Sequence, residues 1–381
     1  MTPDNDLTIL LALKDRGPFT FRWMSYSDSI RFPFHVFIAD GGSDDSVAKV
    51  LSNHSTFPNV GYEYRRYPYD KTYRDYNAKL ADALSRIRTP FVALADDDDF
   101  FFVNGLREAT AFLAEHQDYA TCGGQCAIFW VTPPQTNEGG DGTYGSDVEW
   151  KCSANVRSLD DDTAEARIQN QPLRATHPAY YHVRRTDELR QQLDIVCESD
   201  LKDLFLIERL LFVLTAIAGK SKQLDTLYLA RQWNSPGSSG GAHQAQYGDW
   251  LGRMLVPSWS KDFTHFVNVT STALAARESM TMDEARRSII KSYRMWLAPQ
   301  LLGDLLGEPT VTMPMSIVVR GVRRLLDLSP DHIVRRMARM IYRRTRWISV
   351  DALHGTQLRT RHVSNAVQEF KPIREFLARG L

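Results

Sequence analysis

Short apolar strand segments alternate with helical segments in the first half of the chain, and this alternation restricts the fold more than any other feature. The predicted elements, in chain order, are strands at 7–13 and 35–39, a helix at 77–87, strands at 91–95 and 179–183, an apolar helix that opens at 199–203 and runs to about 218, and a strand at 227–230. Strands that alternate with helices are typical of layered α/β proteins. We therefore predict an α/β fold with a largely parallel sheet.

The pattern changes near residue 234. Residues 234–248 are dominated by small and polar residues, a composition typical of a flexible linker, and the pattern beyond them is helical throughout. We therefore predict an α/β domain over residues 1–245 and a helical, basic domain over 246–381. The length of 381 residues and the 43% of apolar residues suit two domains with their own cores, and they exclude a disordered or collagen-like chain.

The charges balance overall but are distributed unevenly. The chain has 46 basic and 46 acidic residues, whereas the segment from Val311 to the end has 14 basic and 5 acidic ones. Nine arginines lie between Arg320 and Arg346, mixed with apolar residues in a roughly helical pattern. Such a segment suits contact with an anionic membrane, packing on the acidic body of the chain, or a nucleic-acid contact. We expect no nucleic-acid partner, and the other two alternatives stay open.

Targeting and redox signals point to the cytoplasm. The apolar run at 7–13 lacks the basic start and the cleavage region of a signal peptide, and nowhere do about 18 uncharged apolar residues follow one another. The four cysteines lack the spacing of a zinc site, which indicates reduced thiols. We therefore expect a cytoplasmic protein, located at the inner face of the membrane if the basic segment binds lipid.

Four consecutive aspartates, from Asp96 to Asp99, directly follow the third predicted strand. In an extended segment alternate side chains share a face, so we expect Asp96 and Asp98 on one side and Asp97 and Asp99 on the other. Adjacent carboxylates repel one another and need positive compensation, which Mn²⁺ or Mg²⁺ together with a phosphorylated substrate would supply. The alternative is a solvated acidic turn that caps a following helix.

Four segments, taken in order, resemble the family 2 nucleotide-sugar glycosyltransferases with the GT-A fold. The family's Thr-Tyr-Asn-Arg-like turn, Asp-Asp-Gly-Ser-x-Asp turn, Asn-containing helix and Asp-x-Asp-Asp metal motif are matched by residues 13–16, 39–45, 74–80 and 96–99. The resemblance extends over residues 7 to about 235. It implies a GT-A domain, which is a Rossmann-like mixed sheet with flanking helices, followed here by an α-helical C-terminal domain.

The resemblance implies a role for each matched residue in binding a nucleotide diphosphate. Asp40 would accept the imide N–H of a uracil-like base, and Asp15 and Arg16 would flank that base or its ribose. Asp98 would hold Mn²⁺ or Mg²⁺ on the diphosphate, and Asp96 would meet the ribose or the metal shell. The remaining candidates are Asp97 and Lys79 at the nucleotide, Arg231 facing a phosphate, and His243 completing the metal shell.

An inverting transferase also needs a general base beside the attacking hydroxyl. The family supplies it from an acidic motif at the start of a later helix, and this chain has Glu-Ser-Asp-Leu-Lys-Asp at 198–203. Asp203 fits best and Asp200 second, but the family's Glu-Asp pair is not cleanly present, so the identity of the base stays open. Alternatively, Ser199, Asp200 and Asp203 only cap the helix.

The implied activity is a metal-dependent, inverting transfer of a sugar from a nucleotide-diphosphate donor, with uridine diphosphate favoured, to a glycan or lipid-linked acceptor in bacterial surface polysaccharide synthesis. A retaining mechanism is a variant. One rival is a sugar-phosphate nucleotidylyltransferase, which should carry a Gly-rich, Arg-containing loop after its first strand, whereas residues 14–18 contain a single glycine. The other rival is a non-catalytic adaptor that keeps the GT-A fold and docks through its basic tail.

Overall fold

The computed structural model describes residues 3–132, 142–145, 147–153, 157–174, 178–237, 239–248, 250–306 and 360–379. The chain divides into two compact units, one formed by Met1–Trp296 with Gln368–Leu381 and the other by Leu297–Val367. The described part of the second unit consists of the last residues of one helix and the first residues of another. The predicted basic segment between Arg320 and Arg346 lies outside the described residues.

Within the described residues, nine strands form one sheet. They are β1 (Leu7–Leu13), β2 (His35–Asp40), β3 (Tyr62–Arg66), β4 (Phe91–Ala95), β5 (Phe100–Phe101), β6 (Tyr119–Thr132), β7 (Asp147–Ser153), β8 (Val183–Arg185) and β9 (Lys220–Gln232). The α-helices are α1 (Gly17–Ser29), α2 (Asp45–Leu51), α3 (Tyr73–Arg86), α4 (Val103–Glu115), α5 (Ala164–Arg174), α6 (Thr186–Ser199), α7 (Leu204–Ala218), α8 (Ser239–Tyr247), α9 (Trp250–Met254), α10 (Pro257–Glu278), α11 (Met282–Leu306) and α12 (Thr360–Arg379). Short 3-10 helices cover Pro3–Asn5, His54–Thr56 and Pro178–Tyr181.

The sheet is mixed. Its strand order is β3-β2-β1-β4-β8-β6-β9-β5, and β7 pairs with β6. β1 runs parallel to β2 and β4, β2 to β3, and β6 to β9, whereas β5, β7 and β8 are antiparallel to their neighbours. The predicted α/β architecture with a mixed sheet is therefore confirmed.

The central strands are apolar because their side chains are buried on both faces of the sheet. The successive side chains of Ile9, Leu10 and Leu11 in β1 point to alternate faces, and all three are fully buried. Helix α3 packs against β1 and β2, and α4 packs against β6 and β9. The continuous apolar runs of β1 and β4 are thus the expected sequence of strands buried on two sides.

Two stretches differ from the sequence prediction. β6 is 14 residues long and is missing from the predicted elements, because its paired glycines weaken the strand pattern. These glycines allow close packing, since a Cβ on Gly123 would lie 2.2 Å from the ring of His182 and one on Gly124 would lie 2.4 Å from the carbonyl oxygen of Thr226. Residues 179–183 are not a strand, because the 3-10 helix Pro178–Tyr181 occupies most of them.

The stretch predicted as a linker also differs from the structure. The stretch 234–248 contains the helix α8, and the compact first unit continues to Trp296. The carboxylate of Asp262 in α10 explains this continuity, because it accepts hydrogen bonds from the backbone N–H groups of Lys202 at 2.9 Å and Asp203 at 3.2 Å. Helix α10 therefore packs on α7 as part of the same body.

The C-terminal helix α12 returns to the first unit. The ring of Phe370 is fully buried and stacks on Trp150, with a distance of 4.6 Å between ring centroids. The backbone N–H of Gly145 donates to the carbonyl oxygen of Leu377 at 3.2 Å. Among the described residues, no helix combines the length and the apolar character that a membrane crossing requires.

Candidate active site

Several of the predicted site residues lie at the carboxyl edge of the sheet. β1 lies between β2 and β4 and runs parallel to both, so the segments that follow Leu13, Asp40 and Ala95 leave the sheet at the same edge. From β1 the chain proceeds to β2 and β3 on one side, whereas β4 lies on the other side. Open α/β sheets bind ligands where the strand order reverses in this way.

The four aspartates form a turn rather than an extended segment. β4 ends at Ala95, and the backbone N–H of Asp99 donates to the carbonyl oxygen of Asp96 at 3.4 Å. The turn brings side-chain oxygens of Asp96, Asp98 and Asp99 within 4.8 Å of one another, and Asp97 is not a member of this group. The predicted alternation of faces is therefore wrong for Asp99, because a tight turn does not keep the two-residue period of a strand.

Two arginines compensate part of this negative charge. Arg16 Nη1 lies 3.2 Å from Asp97 Oδ1, and Arg16 Nη2 lies 3.0 Å from Asp98 Oδ2. At the end of β9, Arg231 Nε lies 3.0 Å from Asp99 Oδ2. The chain thus supplies some of the positive charge that the sequence analysis assigns to a bound cation.

Asp96 and Asp98 each keep one oxygen that no described residue engages. Tyr181 donates its hydroxyl to Asp96 Oδ2 at 2.6 Å, and Arg16 contacts Asp98 Oδ2, whereas the two Oδ1 atoms accept no hydrogen bond from the described residues. Both oxygens of Asp99 accept hydrogen bonds from β9. Mg²⁺ and Mn²⁺ prefer carboxylate oxygens, so the donor set of Asp96 and Asp98 fits a divalent cation.

Burial raises the pKa values of Asp96, Asp97 and Asp99 in this turn. The pKa of Asp97 is raised to about 7 by burial, against the opposing charge of Arg16. Burial and the neighbouring charge of Asp98 also raise the pKa of Asp96, and burial raises that of Asp99 well above its usual value. Burial is the main cause of these upward shifts, and a bound cation would act against them by favouring the charged carboxylates.

Asp40 and Asp15 stabilise the loop after β2 by accepting hydrogen bonds from it. The buried Asp40 accepts hydrogen bonds from the backbone N–H of Gly42 at 2.8 Å and from the hydroxyl of Tyr64 at 2.6 Å. Asp15 has a left-handed φ of 53°, and its Oδ1 accepts from the backbone N–H of Ser43 at 2.6 Å and its hydroxyl at 2.9 Å. Burial raises the pKa of Asp15, but the hydrogen bonds from Ser43 outweigh it and the net shift is downward. The contacts predicted for Asp40 and Asp15 with a base stay predictions.

Lys79 is buried and supports the loop after β2 through its ion pair with Asp70. Its Nζ donates to the carbonyl oxygen of Leu13 at 2.9 Å and forms an ion pair with Asp70. The backbone N–H of Asp70 in turn donates to the carbonyl oxygen of Gly41 at 2.9 Å. Burial lowers the pKa of Lys79, and the ion pair with Asp70 opposes this shift. A nucleotide contact predicted for Lys79 would therefore compete with an existing buried ion pair.

Asp203 is the N-cap of α7 and contacts Arg253 and His243. Its Oδ1 accepts from the backbone N–H of Leu206 at 2.9 Å and from Arg253 Nη2 at 2.6 Å. Its Oδ2 accepts from Arg253 Nε at 3.2 Å and lies 3.3 Å from His243 Nε2. Burial raises the pKa of Asp203, but the hydrogen bonds with His243 and Arg253 outweigh it and lower the pKa overall.

His243 and Asp200 lie apart from the three converging aspartates. The ring of His243 contacts Asp203 on one side and lies 3.5 Å from the hydroxyl of Tyr73 on the other, and it is not a member of the aspartate group. Asp200 follows α6 with a left-handed φ of 47°, and its side chain is 53% exposed and 3.5 Å from Arg74. The structure thus does not bring His243 together with Asp96 and Asp98.

Sequence analysis missed Arg22 of α1. Its side chain is fully buried, and Nη1 donates to the carbonyl oxygen of Thr143 and to Oε1 of Gln232, both at 2.7 Å. Its Nη2 donates to the backbone carbonyl oxygen of Asp98 at 2.8 Å. The signal available in the sequence is a lone cation in the apolar run of residues 19–24.

Sequence analysis also missed Glu208 of α7. Burial raises the pKa of its carboxyl to about 7, and the charges of Arg231 and Asp96 act on it in opposite directions. Here too the sequence signal is an acidic residue within an otherwise apolar helix.

Comparison with known proteins gives fold similarities only. No protein-family model matches the chain, and no curated protein sequence matches it. A crystal structure of S. aureus TarS 1-349 matches with 14% identity and a TM-score of 0.41, and the match covers 79% of this chain and 92% of that one. The same TarS region in complex with UDP-GlcNAc matches with 13% identity, the same coverage and a TM-score of 0.39. In complex with UDP, it matches with 14% identity, again with 79% and 92% coverage, and a TM-score of 0.37. At these identities and TM-scores, the function is inferred from the chemistry of the site.

Proposed function

We propose that the chain is a metal-dependent glycosyltransferase that moves a sugar from a nucleotide-diphosphate donor to a hydroxyl group. The observation that carries this proposal is the meeting of Asp96 and Asp98 with Arg16 and Arg231 at the carboxyl edge of β1, β4 and β9. Free carboxylate oxygens suit a divalent cation, and guanidinium groups suit phosphate oxygens. The combination is the chemistry that binds a diphosphate together with a cation.

Asp96 and Asp98 are the residues that would hold Mn²⁺ or Mg²⁺. Such an ion neutralises the negative charge that develops on a departing diphosphate. Arg16 and Arg231 already lie against the aspartates, so the same guanidinium groups can turn toward phosphate oxygens as the donor binds. Arg22 donates to the backbone carbonyl oxygen of Asp98 and so stabilises the conformation of the aspartate turn.

We propose uridine diphosphate as the nucleotide, because the sequence motif at Asp40 matches the family's uracil-binding turn. A glycan or lipid-linked glycan is the proposed acceptor, with the inverting stereochemistry that the resemblance implies. Contact of the segment between Arg320 and Arg346 with an anionic membrane stays a prediction, as does the cytoplasmic location.

Titration calorimetry with UDP in the presence and absence of Mn²⁺ tests the proposal. We expect the full chain to bind UDP only with the metal, and we expect Asp98→Asn to weaken this binding at least tenfold because one free carboxylate oxygen is lost. The matched control is Asp162→Asn, whose side chain is 94% exposed and lies outside the site.

The outcome also separates the two rival functions. A protein that binds no nucleotide with or without Mn²⁺ contradicts the proposal and favours a non-catalytic adaptor. Release of pyrophosphate from a nucleoside triphosphate and a sugar phosphate would instead identify a nucleotidylyltransferase. Equal UDP binding by wild type and Asp98→Asn would remove Asp98 from the metal site.

A further inference from the structure

Arg16 contacts the aspartate turn in the way that a bound cation would. Its backbone is the N-cap of α1, and its side chain reaches the turn that follows β4. Nη1 lies 3.2 Å from Asp97 Oδ1, and Nη2 donates to Asp98 Oδ2 at 3.0 Å. One guanidinium group therefore compensates two neighbouring carboxylates, and one of them, Asp98, is a ligand in the proposed metal site.

A divalent cation at Asp98 would meet this positive charge at close range. Arg16 contacts Oδ2, so Oδ1 of the same carboxylate is the oxygen left for the ion. An ion on Oδ1 would lie within about 7 Å of Nη2, a distance at which two positive charges repel each other in a partly buried site. The side chains of Arg16 and Asp98 are only 20% and 10% exposed, so solvent screens this repulsion weakly. Arg16 and the ion therefore compete for one carboxylate.

The hydrogen bonding of Arg16 in this position is incomplete. Its Nε is buried and has no hydrogen-bond partner among the described residues. Its Nη2 divides its contacts between Asp98 and the hydroxyl of Ser235, which lies in the segment after β9. A buried donor without an acceptor costs free energy. A ligand that offers acceptors to the whole guanidinium group is therefore able to displace Arg16 from the aspartates.

The diphosphate of a nucleotide is such a ligand, because phosphate oxygens accept parallel N–H donors from a guanidinium group. The backbone of Arg16 is held at the start of α1, where its carbonyl oxygen accepts from the backbone N–H of Thr20 at 3.0 Å. A change of side-chain rotamer is therefore enough to move the guanidinium group. This movement leaves Asp98 to the metal ion and gives the diphosphate a cationic partner.

We propose that Arg16 is an internal counter-ion, which pairs with Asp98 in the free protein and is exchanged for the divalent cation when a nucleotide diphosphate binds. This exchange rests on the metal site of the proposed function. Because coupling between two ligands is reciprocal, the nucleotide strengthens metal binding by the same factor as the metal strengthens nucleotide binding. The free protein accordingly binds the metal alone weakly, and the two ligands bind tightly only together.

The first measurement is the binding of Mn²⁺ to the full chain without nucleotide, from the electron paramagnetic resonance signal of the free ion. We expect Arg16→Gln to bind Mn²⁺ about tenfold more tightly than wild type, because the competing charge is removed. Arg16→Lys keeps the charge but lacks the fork that contacts both Asp97 and Asp98, so we expect an intermediate affinity. Arg86→Gln is the matched control, because Arg86 also pairs with an aspartate but lies outside the site, and it should bind Mn²⁺ as wild type does.

The second measurement is the titration of the same variants with UDP at saturating Mn²⁺. We expect Arg16→Gln to bind UDP about fivefold more weakly than wild type, because the diphosphate loses a guanidinium partner. Tighter metal binding combined with weaker nucleotide binding distinguishes the exchange from a structural role, since a distorted site would lose affinity for both ligands.

A double variant shows where the ion binds. Adding Asp98→Asn to Arg16→Gln should remove the gain in Mn²⁺ affinity, because the ion loses its carboxylate ligand. A gain that persists places the ion elsewhere and overturns the proposal. Mn²⁺ binding by Arg16→Gln that is no tighter than that of wild type, or that is absent from both, overturns it as well. If wild type nevertheless binds UDP with Mn²⁺, the proposed function stands; if wild type binds no UDP, both proposals fail.

Discussion

His182 is a buried imidazole whose two ring nitrogens have no hydrogen-bond partner in the described structure. Its side chain is 2% exposed and lies against Gly123, which leaves no room for a ligand or an ordered partner on that side. Burial, with the nearby charge of Arg184, lowers the pKa of His182 to about 3. The residue is therefore neutral in the folded protein throughout the range in which an exposed histidine titrates.

This downward shift predicts a specific loss of stability in mild acid. In the unfolded chain His182 takes up a proton near pH 6.5, whereas in the folded chain it does so only near pH 3. Its contribution to stability is therefore complete above pH 6.5 and is lost as the pH falls, by about 2 kcal/mol at pH 5. We expect urea unfolding to show a smaller decrease in stability between pH 7 and pH 5 for His182→Leu than for wild type.

The comparison between the two pH values cancels the packing change that leucine itself introduces. Carboxylates titrate in both proteins, so only the difference between their pH responses reports on His182. An identical pH response in the two proteins would contradict this prediction, because it would show that the imidazole takes up its proton at the same pH in the folded and the unfolded chain.

At the residue scale, the local sequence predicts which side chains carry the chemistry better than it predicts how they are arranged. The position of Asp96 and Asp98 after a buried strand follows from the sequence, since an acidic run cannot continue an apolar strand. The turn that adds Asp99 to the group depends on Arg231, which is more than a hundred positions away in the chain. Likewise, Arg253 encloses Asp203 through a contact that no local pattern indicates.

Arg22 connects several elements around the aspartate turn. From α1 it donates to Asp98 after β4, to Gln232 at the end of β9 and to Thr143. Its guanidinium group also lies over the rings of Phe19 and Phe100. A buried cation with three acceptors fixes the relative positions of the elements that carry those acceptors.

Removing this connection should weaken both the fold and the proposed site. We expect Arg22→Met to lower the free energy of unfolding by about 3 kcal/mol, since three carbonyl acceptors lose their donor. The turn at Asp98 would also lose its support, so Mn²⁺-dependent UDP binding should weaken in protein that circular dichroism shows to be folded. The control is Arg86→Met, because the side chain of Arg86 is 38% exposed and its pair with Asp82 should contribute under about 1 kcal/mol. Equal destabilisation by both variants would contradict the role of Arg22.

At the element scale, the sequence predicts the strands and helices whose apolar character is uniform along their length. β1 and β4 are buried on both faces and read as apolar runs, and α7 is apolar nearly throughout. β6 and β9 contain glycines or polar residues where they pack against specific neighbours, so their full length is decided by tertiary contacts. Helix α8 contains two adjacent glycines near its start, which give it a weak intrinsic helix propensity. The contacts of its His243 with Tyr73 and Asp203 compensate for that weakness.

At the scale of the whole molecule, a late helix packs on strands and a helix of the first unit. The described part of α12 that belongs to this unit packs Phe370 on Trp150 and Phe129, and Phe376 on Tyr26 of α1. Phe129 in turn lies against Phe100, which directly follows the aspartate turn. The sequence analysis assigns residues 246–381 to a separate domain, because composition does not show which body a terminal helix joins.

This packing predicts that the C-terminal helix contributes strongly to the stability of the unit that carries the site. Phe370 is fully buried between aromatic rings, so we expect Phe370→Ala to lower the free energy of unfolding by about 3–5 kcal/mol through lost burial and the cavity left behind. Lys371→Ala is the matched control. Lys371 follows Phe370 in the sequence, but its side chain is 68% exposed, so the change should cost under about 0.5 kcal/mol. Urea unfolding followed by tryptophan fluorescence measures both, since Trp150 lies against the substituted ring. If the two variants unfold at the same urea concentration, α12 does not belong to the cooperative core of the first unit.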